Sequence, residues 1–592
     1  MDKAGLILKK AFSECVLAKY NANFPVSDVI VNETPDEFVG DFTIVIFPIV
    51  KLARKKPEEA AAEIGEELIK KVSFIESYNV IKGFLNLVLK DSYWKEFLNK
   101  EYNAEGYGIF APDGTEEAVE YCGPNTNKPL HLGHIRNMLI GWSIIKILEA
   151  NGKKIQKLNI YNDRGIAICK SMVAWLHKGE GKKPSDTGEK GDHFVGRFYV
   201  LFDKMLKPQI QELIDKGMPE EEAKKEAPLM KEAYDLLRKW ELGDDETMSI
   251  WQQMNDWVYS GYEETFKTIG ISFDRHYYES ETYLLGKEIV KEGLANGSLI
   301  KKEDGSVWVD LTDEGLDEKI LLRKDGTSVY VTQDLGTAEQ RFSHFPIKRC
   351  IYVVANEQDY HFKVLQKTLA KIGKKYAEGI YHLSYGMVDL PEGKMKSREG
   401  TVVDADDLLQ EMFQTAENYT RELGKLDDFD NNEAQKLYKI LGLGALKFFI
   451  LRVDPKKRML FNPQESIDFQ GQTGPFVQYT FARIQSVLRK EKPQQANLLN
   501  DYKPADRERK LLRLLYLYPE KVSEAGANLD PSVICHYAYT LAKEFNGFYS
   551  AFSILNAENE DAKQFRLALS EFTAQVLKKS FDLLGIEMPY KM

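Results

Sequence analysis

The spacing of apolar positions changes character along the chain, and each change suggests a different architecture. Residues 1–112 mix helical spacing with short alternating runs, of which Phe42 to Val50 and Gly83 to Leu89 read as strands. The segment from Phe110 to Thr115, with Pro112 and Gly114, marks a boundary. From 113 the alternating run Ala118–Cys122 is followed by a helix from His131 to about Asn151. An apolar strand, Ile155–Tyr161, comes next. Strand, helix and strand in this order open a parallel sheet with helices on both faces. Residues 180–270 carry alternating charges at helical spacing and read as exposed helices inserted in that sheet. The sheet resumes near Ile271, with strands expected at Ser306–Leu311, Ser328–Val331 and the buried apolar run Cys350–Val354. Residues 409–592 are helical almost throughout. The pattern therefore predicts a multidomain α/β plus all-α protein. An α/β appendage (1–112) precedes a Rossmann-like parallel-sheet domain (113–408), and a helical domain (409–592) ends the chain.

Composition changes this picture little. The chain has 592 residues, more than one core serves, with 43% hydrophobic and 29% charged residues. No apolar run reaches the ~18 residues of a membrane span, and the N-terminus mixes lysines into an amphipathic helix, so a cytoplasmic protein is expected; a monomer is the expected state. The cysteines at 15, 122, 169, 350 and 535 form no C-x-x-C pair, which argues against a disulfide framework and a thiolate zinc site. No structural metal is expected. A net charge of −11 does not exclude a nucleic-acid partner, because local patches can hold one. No P-loop occurs. Gly442 and Gly444 lack the third glycine of a dinucleotide fold and read as helix-packing positions.

The chemistry concentrates in two places. Glu120–Asn137, EYCGPNTNKPLHLGHIRN, joins a turn at Gly123-Pro124 to a helix opened by His131 and His134, three apart and expected on one helical face. Imidazoles and free N–H groups at a helix start can hydrogen-bond phosphate, and Gly133 clears space for a nucleotide. Far downstream, Gly393-Lys394-Met395-Lys396-Ser397-Arg398-Glu399-Gly400 reads as a mobile basic loop bracketed by glycines.

His131-Leu132-Gly133-His134 resembles the HIGH signature of class I aminoacyl-tRNA synthetases, and Gly393–Gly400 resembles their KMSKS loop. The lead Pro124–Pro129, the segment Thr473–Tyr479 and the ending Leu583–Met592 resemble the arginyl-tRNA synthetase family, so the likeness spans the chain. The resemblance implies an arginine–tRNA ligase whose partners are ATP with its Mg²⁺, L-arginine and tRNA(Arg). It also implies tRNA binding by the N-terminal domain and anticodon binding by the helical one. ATP would contact His131, Gly133, His134, Met395 and Ser397, with His131, His134, Lys394 and Lys396 in the chemistry. Tyr330 and Asp334, in a Y-x-T-x-D segment, match the arginine pocket, as do Gln358, Glu120 and Asn125. The loop departs from the family pattern because Ser397 stands where a second lysine belongs. Lys128, three residues before His131, can supply the missing cation. A synthetase-like binding protein, a class I synthetase for another amino acid and a nucleotidyltransferase remain as rival readings.

Overall fold

A computed structural model describes all residues except 1–2, 36, 390–402, 423–428, 469 and 495–501. The N-terminal unit is a four-stranded antiparallel sheet made of β1 (Val31–Glu33), β2 (Phe42–Val45), β3 (Ile75–Ile81) and β4 (Phe84–Leu89), in the order β1-β2-β4-β3. The strand expected over Phe42–Val50 ends at Val45, where Pro48 helps turn the chain into short helical turns. The unit rests on the helix Asp506–Asn528 of the C-terminal region. Tyr516 packs edge-on against Trp94 and Phe97, and the Tyr93 and Tyr516 hydroxyls meet at 2.9 Å.

The central sheet is parallel, built from β5 (Glu116–Glu120), β6 (Lys154–Tyr161), β7 (Arg275–Tyr278), β11 (Arg349–Ala355) and β12 (Ile380–Tyr385). Its order is β12-β11-β5-β6-β7. The intervening β8 (Ile300–Lys301), β9 (Val307–Val309) and β10 (Lys319–Leu322) form a small antiparallel sheet of their own. The chain winds from β5 to one side and later returns on the other, so the crevice between β5 and β11 is a topological switch point where ligands bind in such sheets. The helix Leu132–Ala150 follows β5 and is apolar nearly all round, which buries it between the sheet and the C-terminal helices.

The insertion is helical as expected, with Gly191–Asp215 and Asp245–Ile269 as its longest members. The strand expected at Ser328–Val331 is absent. Ser328 makes only an isolated bridge to Leu322, and Tyr330 already opens the helix Tyr330–His344. The β-branched run misleads because packing of Val331 and Leu335 in the sheet's core outweighs local strand preference. After the sheet come Ala405–Glu422, Asn431–Leu451, Gly474–Lys490, Asp506–Asn528, Ser532–Ala551 and Glu560–Leu583, all helices. Gly474 and Gly444 serve close packing, since a Cβ on Gly474 would lie 2.3 Å from the Gly444 carbonyl oxygen.

Candidate active site

At the carboxyl edge of the sheet lies a cleft of about 1080 Å³, whose walls include Lys128, His131, Arg164, Glu279, Tyr330 and Asp404. One corner is built around the start of the Leu132–Ala150 helix. The sequence placed both histidines on one helical face, but His131 stands just outside the helix in an extended conformation (φ −140°, ψ 173°) and caps it. The first N–H groups of a helix lack intrahelical acceptors, and a side chain can satisfy one of them. Here His131 Nδ1 accepts from the Gly133 amide at 3.1 Å, and His134 Nδ1 accepts from the His131 amide at 3.2 Å. The rings lie against each other at a tilt of 34°, with centroids 3.9 Å apart.

This arrangement fixes the tautomer. A ring nitrogen that accepts an N–H carries no proton, so in both neutral rings the proton sits on Nε2 as a donor. Burial, reinforced by Lys128, pulls His131 down to about 4. Burial and the neighbouring His131 hold His134 well below the usual imidazole range. Neutral donors without net charge can thus face phosphate oxygens across the physiological range. Gly133 has a structural duty as well: a Cβ there would lie 2.9 Å from His131 Cε1.

Lys128 sits on the cleft wall, and burial lowers its pKa. It forms no ion pair among the described residues. Its backbone is held by the Tyr262 hydroxyl, which donates to the carbonyls of Lys128 (2.7 Å) and Asn125 (2.9 Å). Lys394, Met395, Lys396 and Ser397 lie outside the described residues. The flanks of their segment are described. Upstream, β13 (Val388–Asp389) pairs with β14 (Met459–Leu460). Downstream, Val403 O accepts from Leu132 N at 3.1 Å, and Ala405 N donates to Leu130 O at 3.0 Å.

The residues assigned to arginine gather around the switch point. Tyr330 and Asp334 lie one turn apart at the start of the Tyr330–His344 helix, with the Tyr330 side chain 80% exposed at the cleft. Among the described residues Asp334 caps no helix. It bonds His361 Nε2 at 2.6 Å, an interaction that raises the histidine's pKa. Glu120 ends β5 and is buried against the Arg341 guanidinium, which lies over the rings of Tyr352 and Tyr277. Gln358 is exposed just beyond β11, and Asn125 is exposed at the cleft beside Asn162.

Glu279 and Arg164 went unassigned in the sequence. Burial raises Glu279 to about 7, Arg164 opposes the shift, and Asp163 and Asp334 add to it. The adjacent Ser280 is pinned by Asp163, which accepts its amide (2.9 Å) and hydroxyl (2.7 Å). The turn Asn162–Gly165 after β6 was visible as a motif. Nothing in the sequence joined it to Glu279, because that contact spans more than a hundred residues. Asp192, His193 and Asp406 also approach one another, and the Lys190 ammonium lies among them, 2.6 Å from Asp406.

Residues 103–462 match the family described as tRNA synthetases class I (R), catalytic domain. Residues 6–89 match the arginyl tRNA synthetase N terminal domain, and 477–592 the DALR anticodon binding domain. The chain belongs to the arginyl-tRNA synthetase family. An arginine–tRNA ligase of Parabacteroides distasonis is 53% identical over 582 residues, covering 97% of each chain. One from Porphyromonas gingivalis is 51% identical and covers 99% of each. The Thermus thermophilus arginyl-tRNA synthetase superposes with a TM-score of 0.79 at 26% identity, over 99% of both chains. The Plasmodium falciparum enzyme shares the fold, with a TM-score of 0.77 at 18% identity. Activation of arginine with ATP and its transfer to tRNA are the activity of this arginyl-tRNA synthetase family member. The catalytic match runs to residue 462, so it takes in the two helices after the loop as well as the sheet.

Proposed function

We propose the following division of labour among the residues. The arginine carboxylate attacks the α-phosphorus of ATP, pyrophosphate leaves, and a hydroxyl of the terminal ribose of tRNA(Arg) then takes the arginyl group from the adenylate, releasing AMP. Neither step requires a protein nucleophile, so positioning and charge neutralisation carry the catalysis. His131 and His134 donate from Nε2 to phosphate oxygens. Lys128 supplies a cation from the same side, while Lys394 and Lys396, with Met395 and Ser397, reach the nucleotide from the loop. Gly133 leaves room for the adenine ring, and magnesium arrives on the ATP phosphates.

The substrate guanidinium lies between Asp334 and Glu279, with Tyr330 at the mouth. Glu120, Asn125 and Gln358 hold the amino and carboxyl end. The observation that carries this reading is the pairing of two neutral, backbone-oriented imidazole donors with an acid-lined crevice at the switch point. Residues 1–112 would grip tRNA and residues 409–592 its anticodon, in a cytoplasmic monomer. Among the described residues no helix is long and apolar enough to cross a membrane.

Asp334→Asn tests the pocket. It keeps shape and removes charge, so arginine binding should weaken by ~1.5 to 3 kcal/mol, the range for a charge-assisted hydrogen bond, with ATP binding little changed. An arginine Michaelis constant within twofold of the parent's would place the pocket elsewhere.

A further inference from the structure

Among the described residues, Arg136 is the one arginine with no exposed surface. It lies two residues beyond His134 on the helix that presents the histidines. It has no carboxylate within ion-pairing distance among the described residues, and Nε and Nη1 have no hydrogen-bond partner there. Burial draws its pKa down to about 10. A buried cation whose opposing charge, Asp454, acts only from beyond ion-pairing distance is costly, and an apolar residue of similar size often serves stability as well or better. Core packing therefore does not account for a guanidinium at this position.

Its hydrogen bonds show what it does hold. Nη2 donates to the Pro455 carbonyl at 3.2 Å and to the Lys457 carbonyl at 2.7 Å. The same turn is fastened to the strand leading into the signature loop. Gly386 N donates to Pro455 O at 2.8 Å, Met459 N to Met387 O at 3.1 Å, and Phe461 N to Asp389 O at 2.9 Å. Arg458 forks onto both carboxylate oxygens of Asp389. Gly386 lies so close to the turn that a Cβ would come within 2.5 Å of Lys457 carbonyl atoms.

The chain leaves that loop at Val403 and is pinned to Leu132 and Leu130 of the same signature segment. Leu132 and Arg136 are four residues apart, about one helical turn. Both ends of residues 390–402 are thus referenced to a single turn of the helix that carries the phosphate-facing histidines. Displacement of a reacting group by about 1 Å can cost roughly 10² in rate.

We propose that Arg136 is a positioning residue for arginine activation: by gripping the 455–457 turn it sets the register between the loop-bearing strand Val388–Asp389 and His131 and His134. The inference rests on the assignment of those histidines and Lys128 to the phosphates.

Arginine-dependent pyrophosphate exchange, measured with tRNA present and normalised to active sites titrated by adenylate formation, tests it. Arg136→Met fills the volume without charge or donors. Turnover per site should fall roughly tenfold or more, with the arginine Michaelis constant within twofold of the parent's. Arg136→Lys keeps the charge and can reach one carbonyl, so it should recover part of the loss. Arg458→Gln breaks the outer fork at an exposed position and should lower turnover about two- to fivefold, again without moving the arginine constant. That variant carries the test if Arg136→Met does not fold. Turnover per site within twofold of the parent in whichever variant carries the test would overturn the proposal, as would a loss matched by a parallel rise in the arginine constant. Lys128→Ala separates the two levels. Expected to lower turnover by ~10² to 10³, it would at full turnover defeat the phosphate-site assignment itself, whereas an effect in Lys128→Ala but none at Arg136 or Arg458 defeats only the positioning role.

Discussion

Glu279 is a cleft residue whose carboxyl changes charge near neutral pH. Burial has raised its carboxyl to about 7, so at pH 6 it is mostly neutral and at pH 8 mostly charged. A guanidinium binds the charged form. If only that form binds, the arginine Michaelis constant should fall about tenfold between pH 6 and pH 8, and Glu279→Gln should weaken binding and flatten the profile. The two histidines contribute no such dependence, because both are held neutral throughout this range. A flat profile in the parent protein would remove Glu279 from the pocket. Local patterns singled out the histidines, Lys128, Tyr330 and Asp334 as candidates, but Glu279 follows β7, which the sequence marked only as the sheet resuming near Ile271.

At the level of elements, the signature helix works through its first turn. His131 Nδ1 accepts the Gly133 amide and His134 Nδ1 accepts the amide of His131, so the same contacts that cap the helix leave each Nε2 as the donor. Gly133→Ala should separate helix stability from chemistry. Alanine favours helix over glycine by up to ~1 kcal/mol, yet its Cβ would push on the His131 ring at 2.9 Å. The melting temperature should hold or rise while pyrophosphate exchange falls by on the order of 10². Equal loss of both would mean that the substitution merely unfolds the helix start. The helical spacing of the sequence located this element to within a residue or two, but not that His131 would stand outside it as the cap.

At the scale of the whole molecule, the C-terminal tail ties together helices that precede it in the chain. Lys447 of the Asn431–Leu451 helix is buried and donates to the Gly585 carbonyl at 2.5 Å, while Gln478 donates to Glu587 O at 2.8 Å and Arg489 to Tyr590 O at 2.7 Å. Burial pulls the Lys447 ammonium down to about 8, below its unfolded value near 10.5. The unfolded chain therefore holds more protons between those values, and the folded state gains stability as pH rises through that window. Relative to Lys447→Met, the parent should gain on the order of 3 kcal/mol between pH 7.5 and pH 10.5, read by denaturant unfolding. A constant difference between the two proteins would show that Lys447 does not titrate in that window.

The sequence by itself pointed to the family and to the two signature-like segments, because these are read from neighbours within a few residues of one another. Apolar spacing marked β5, β6 and β11, and the charged run marked the inserted helices. Spacing misread Ser328–Val331, where packing against the sheet overrides the preference of β-branched residues. The tertiary structure decided what depends on atoms distant in the chain. It supplied the hydrogen bonds that fix both imidazole tautomers, the burial that raises Glu279, and the turn at 455–457 that meets Arg136 across more than three hundred residues. Protonation and register follow from desolvation and from contacts made only on folding, and neither leaves a local pattern in the sequence.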